Sequence, residues 1–119
     1  MRAEIKFLHS TEILEGLETY SPSDEDVFCI PITIGIGSKE REGADNFDLL
    51  VCSPGWLAQD IKEGDVRLLR HILLVKTFDW RRIRAFIDRY VSGIEAETWE
   101  EIANKLARLG HWEFEDYRP

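Results

Sequence analysis

Phe47-Asp48-Leu49-Leu50-Val51-Cys52-Ser53-Pro54-Gly55-Trp56-Leu57, residues 47–57, changes character halfway along. Its first six residues are largely apolar and β-forming, which predicts a strand. Ser53 then occupies the position of a helix N-cap, and Pro54 suits the first helical turn because its missing amide hydrogen is not needed there. A strand that turns directly into a short helix is the anchor for the rest of the reading.

Backwards from this stretch, residues 27–37 are rich in β-branched side chains, and Pro31 among them suggests an edge position or a bulge, since proline has no amide hydrogen for a ladder. The polar segment 38–46, with Gly43, joins the two runs as a long-looped hairpin. Residues 3–9 alternate Ala3, Ile5 and Phe7 with Glu4 and Lys6, the period of a half-buried strand. Between them, residues 10–26 carry six acids and no Lys or Arg, with Ser21-Pro22-Ser23 as punctuation. That is an exposed acidic connection, with room for one helical turn over 13–17.

Forwards, residues 62–65 break the chain at Gly64, and 66–78 form another β-rich segment centred on His71-Ile72-Leu73-Leu74-Val75. Asp79 can cap a helix whose Ile83, Phe86, Ile87, Tyr90 and Val91 recur at helical spacing before Gly93. Thr98, with Glu101 three places later, is a capping-box pattern, and Trp99, Ile102, Ala103 and Leu106 make one apolar face that ends at Gly110. The order predicts an α+β fold: a mainly antiparallel sheet of about four strands, with two C-terminal helices and the short helix packed on one face, in a single domain over residues 1–119.

Composition narrows the function. The chain has 119 residues, 44% apolar and 32% charged, enough to build a core without disulfides or metal. With 15 Lys and Arg against 23 Asp and Glu, the net charge of -8 repels phosphate backbones and anionic lipid, which disfavours nucleic-acid and membrane partners. The longest weakly polar run, 27–37, has 11 residues where a span needs roughly 20, and the first ten residues, with charges at Arg2, Glu4 and Lys6, show no secretory pattern. A cytoplasmic location is expected, where Cys29 and Cys52 serve as small apolar side chains unless adjacent strands let them pair.

Chemical motifs are few. His9, His71 and His111 lack metal-ligand spacing, and no nucleophile elbow, phosphate loop or dinucleotide fingerprint occurs, so no metal and no cofactor are expected. The informative ending is Gly110-His111-Trp112-Glu113-Phe114-Glu115-Asp116-Tyr117, in which three aromatics interleave with three acids. Rings supply desolvated contact and acids steer a basic partner, so this is the pattern of a recognition surface. The plainer alternative is that Trp112, Phe114 and Tyr117 clamp the chain end onto the sheet; Trp56 and Trp99 are read as core in the same way. Charge is segregated as well, residues 62–89 holding eight basic and four acidic side chains. The residues alone leave open a small carboxylate-dependent hydrolase, a regulatory protein-binding module and an inhibitor.

The stretches 47–57, Arg70-His71-Ile72-Leu73-Leu74-Val75, Thr98-Trp99-Glu100-Glu101-Ile102-Ala103 and the ending 110–117 together give the chain a resemblance. It resembles the Immunity protein 8 family of bacterial polymorphic toxin systems over nearly its whole length, most specifically in the terminal motif and least in the connections 10–26 and 38–46. The resemblance implies a small cytosolic protein, encoded beside a toxin gene, that binds the toxin's C-terminal domain and blocks it. It implies neither a reaction nor a cofactor. The expected contact residues come from composition: Asp24, Glu25, Asp26, Trp112, Glu113, Glu115, Asp116 and Tyr117, set against a positive cleft on the toxin.

Overall fold

The computed structural model describes residues 1–117. Five strands and three helices follow in the order β1 (Ala3–His9), β2 (Cys29–Ser38), β3 (Asp45–Cys52), α1 (Pro54–Asp60), β4 (Ile72–Leu74), α2 (Trp80–Ser92), α3 (Trp99–Leu106) and β5 (His111–Trp112). The fold is α+β, with a mixed sheet ordered β1-β2-β3 and both β4 and β5 on the far edge of β3. β1, β2 and β5 pair antiparallel with their neighbours, whereas β4 runs parallel to β3.

The hairpin decides which face is buried. Ile30, Ile32, Ile34 and Ile36 on β2 and Phe47, Leu49 and Val51 on β3 all point to one side and are at most 3% exposed. Opposite them pack Ile83, Ile87 and Val91 from α2 and Ile102, Ala103 and Leu106 from α3, each set spaced to fall on one helical stripe. Both helices begin as their sequences require: Asp79 accepts from the Arg82 amide at 3.3 Å and Thr98 from the Glu101 amide at 3.2 Å. The buried Ser53 hydroxyl accepts from the Trp56 amide and from the Phe28 amide, both at 3.2 Å, so one oxygen starts α1 and ties it to the end of the sheet.

Several expectations need correcting. In β1 the alternation breaks, because a bulge between Ile5 and Phe7 inserts Lys6; Leu8 turns to the core opposite Ile34, and Phe7 lies on the other face over Gly35. β2 is interior, not an edge. Pro31 is tolerated there because Leu50 opposite it gives its own amide to His71 at 3.0 Å and so faces away from β2. The nitrogen of Pro31 therefore faces the β1 side, where β1 has already ended with His9 opposite Thr33.

The segment 66–78 contains only the three-residue β4. β5 occupies the β3 edge at Phe47 and Asp48, which leaves Leu50, Val51 and Cys52 for β4. Residues 13–17 form turns and no helix, although Ile13 and Leu17 are buried. α1 has no fully buried residue, and Trp56, expected in the core, is half-buried outside the core cluster, whereas Trp99 packs against that cluster.

Candidate partner-binding surface

The chain end is held by its own sequence. Trp112 on β5 lies opposite Phe47, with the two rings stacked at a centroid distance of 6.5 Å, and its indole N–H donates to Asp45 Oδ2 at 3.0 Å. One residue on, Glu113 continues the pairing with both of its ends: its amide donates to the Asn46 carbonyl at 3.1 Å, and its Oε1 accepts from the Asn46 amide at 2.9 Å. The chain then turns, with Glu115 N–H on the Trp112 carbonyl, Tyr117 N–H on the Phe114 carbonyl, and Asp116 at φ 59°. Left-handed backbone suits Asp better than most residues, because its short polar side chain tolerates that region.

Glu115 closes this turn onto a distant segment. Arg70 Nη1 and Nη2 donate to its two carboxylate oxygens at 3.1 and 2.7 Å, a two-pronged pair that fixes both side chains. The guanidinium hydrogen bonds hold the Glu115 carboxyl below its usual range. Beside the fork, His71 sits at φ 58° with Nε2 2.6 Å from the Ala107 carbonyl. A carbonyl only accepts, so Nε2 carries the proton. Thr33, Asp48, Leu50, Arg70, His71 and His111 edge an open concavity of about 400 Å³ on the sheet face turned away from α2 and α3.

The two acidic clusters expected to act together lie apart. Asp24, Glu25 and Asp26 dock beside the start of α2, where Thr77 donates to Asp26 Oδ1 at 2.8 Å and the Phe78 amide to the Glu25 carbonyl at 2.8 Å. This is the Cys52 end of β3, since Phe28 pairs there with Ser53. Glu113 stands at the Asn46 end, and the chain then turns back to set Glu115 on Arg70 beside His111, so much of β3 lies between these acids and the first group. Asp24, Glu25, Asp26, Glu113, Asp116 and Tyr117 are exposed, while Trp112 and Glu115 are half-buried.

A feature the sequence reading missed is the loop before β4. All ten residues from 61 to 70 are exposed, with Val66 at 97% and Leu68 at 94%. Its one available signal was the pattern Val66-Arg67-Leu68-Leu69-Arg70, where the strand alternation fails at Leu69.

Among the described residues no group of three or more His, Cys, Asp or Glu could hold a metal ion, and no helix is long and apolar enough to cross a membrane. Fold and surface define a small α+β domain whose terminal aromatics and acids are assembled around one sheet edge. The chain belongs to the Immunity protein 8 family, whose model matches residues 3–117. No curated protein and no solved structure shows a significant match.

Proposed function

We propose that this chain is a cytoplasmic inhibitor that binds the toxin domain encoded beside it one-to-one and holds it inactive, without a reaction of its own. Membership of the Immunity protein 8 family across residues 3–117 is the observation that carries the reading. On this reading the acids act in approach: Asp24, Glu25 and Asp26 at one end of β3 and Glu113, Glu115 and Asp116 at the chain end draw in a basic toxin cleft, with Trp112 and Tyr117 beside the second group. A standard interface covers about 800 Å² per partner, a disc roughly 30 Å across, so one toxin surface has the reach to meet both clusters if they share a face. The net charge of -8 gives the long-range field the same sign.

Co-expression with the adjacent toxin domain tests inhibition. Survival of a susceptible host, with a complex on size exclusion, is the expected result; a toxic domain that this soluble chain neither binds nor neutralises overturns it. Steering has its own test. Replacing the exposed Asp24, Glu25, Asp26, Glu113 and Asp116 with their amides, which leaves the Arg70–Glu115 pair intact, should slow association about tenfold at low salt and flatten its salt dependence. Association rates equal to those of the unaltered chain at both low and high salt remove the acidic mechanism and leave inhibition standing.

A further inference from the structure

Among the described residues, ten large apolar side chains are more than 40% exposed, and seven of them fall in two short stretches: five between residues 61 and 74, and Phe114 and Tyr117 in the C-terminal turn. The Arg70–Glu115 fork ties these stretches together. Leu68 and Leu69 directly precede Arg70, and Glu115 lies between Phe114 and Tyr117, so apolar groups flank both ends of one fixed ion pair. Val66 and Leu68 give the fold nothing. Their backbone belongs to no helix or strand, and their side chains stay in water in the free chain. Exposed apolar groups brought together by a fixed ion pair mark an interaction surface, and Arg and Tyr are among the residues that hot spots favour.

We propose that residues 66–70 and 113–117 form one ridge that seats the toxin domain, with Leu68, Leu69, Phe114 and Tyr117 as apolar anchors around the Arg70–Glu115 centre. The proposal rests on the inhibitor reading above and adds to it where affinity, as distinct from steering, arises. The exposed Glu113 and Asp116 border the ridge, so the matching toxin surface is an apolar hollow edged by Lys or Arg. A second copy of this chain is the poorer occupant. A two-fold pairing through the ridge would bring together two copies of the edge that carries the exposed Glu113 and Asp116, on chains that each carry -8.

The test is the affinity of the adjacent toxin domain for Leu68→Asp, for Tyr117→Ala and for the control Leu14→Asp, whose leucine is 90% exposed and outside the ridge. Leu68→Asp and Tyr117→Ala should each weaken binding by roughly 30-fold, as loss of a hot-spot residue does, and Leu14→Asp by less than about threefold. Leu68 is 94% exposed, so its substitution leaves the melting temperature unchanged and the test does not depend on how the tail variant folds. If the unaltered chain binds the toxin and both ridge variants match it, the ridge is wrong and the inhibitor reading stands. Sedimentation of the free chain as a dimer that Leu68→Asp splits also overturns the ridge, by assigning it to a second copy. Failure of the unaltered chain to bind removes the inhibitor reading itself, and the ridge with it.

Discussion

Trp99 and Trp112 donate their indole N–H groups to the same oxygen, Asp45 Oδ2, at 2.9 and 3.0 Å. The first tryptophan opens α3, the second lies on β5, and Asp45 begins β3, so one carboxylate oxygen joins three elements that are distant in sequence. Both rings are half-buried, and both pack against the core. Their place at the chain's two most recognisable motifs is thus accounted for by assembly of the fold.

Asp45→Ala strands two indole donors at once. Leaving partly buried donors without an acceptor should lower unfolding free energy by about 1–3 kcal/mol in urea denaturation, and Asp45→Asn, which keeps an acceptor oxygen, by less. Equal losses for the two variants would show that the shared oxygen is not what matters. Trp112→Ala should likewise lower the melting temperature, because it removes the ring stacked on Phe47.

Two glycines of β2 should respond differently to alanine. A Cβ on Gly37 would stand 2.1 Å from the Gly43 carbonyl oxygen, which is backbone and cannot rotate aside. On Gly35 it would meet the Phe7 ring at 2.2 Å, and that ring is 43% exposed and free to swing outward. Gly37→Ala should cost about 1–3 kcal/mol, the usual penalty of overpacking, with Gly35→Ala near neutral because alanine is the better strand residue. Thermal or chemical melts of the two variants decide this, and the reverse order would contradict it.

The Arg70–Glu115 fork gives a pH signature. Because the folded carboxyl is held below its unfolded value of about 4.3, the pair's contribution to stability is fully present above that pH and is lost as pH falls through the lower folded value. In an NMR titration of the Glu115 side chain, Arg70→Gln should move the midpoint upward. A midpoint that ignores the substitution would mean that the fork does not persist in solution.

Cys29 and Cys52 are direct cross-strand partners, and both are free thiols. The flanking Ser53 amide donates to the Phe28 carbonyl, which makes the cysteines the neighbouring pair without ladder bonds, where side chains approach most closely. Burial, with Cys52 alongside, pushes the Cys29 thiol up to about 12, and burial raises Cys52 as well. At neutral pH the thiolate of Cys29 is roughly a thousandfold scarcer than that of an exposed cysteine, so iodoacetamide should label the native chain slowly and the urea-unfolded chain quickly. Rapid labelling of the native chain would contradict this environment.

Features that depend on neighbours in sequence were readable from it: the isoleucine alternation of β2, the caps Ser53, Asp79 and Thr98, and the stripes of α2 and α3. Features that depend on which strand runs out of partners were not. Pro31 indicates an unpaired nitrogen, but whether that means an edge strand or an interior strand outlasting its neighbour depends on where β1 stops. Likewise 66–78 has the composition of a strand, yet β5, supplied from the chain end, reduces the available edge of β3 to three residues. At the surface, the terminal motif announced its aromatics and acids. That Glu113 holds Asn46 and Glu115 holds Arg70 required the fold.

The near-complete exposure of Val66 and Leu68 has a mutational consequence. Substitutions at fully exposed positions outside helices and strands shift stability by only about 0.5 kcal/mol either way, so the fold exerts almost no purifying pressure on Val66 and Leu68. Across the fork, Trp112 and Glu113 are fixed by the sheet they complete. Positions 66 and 68 can therefore change at little cost to the fold, while Arg70 on Glu115 and Glu113 on Asn46 are held by their pairs.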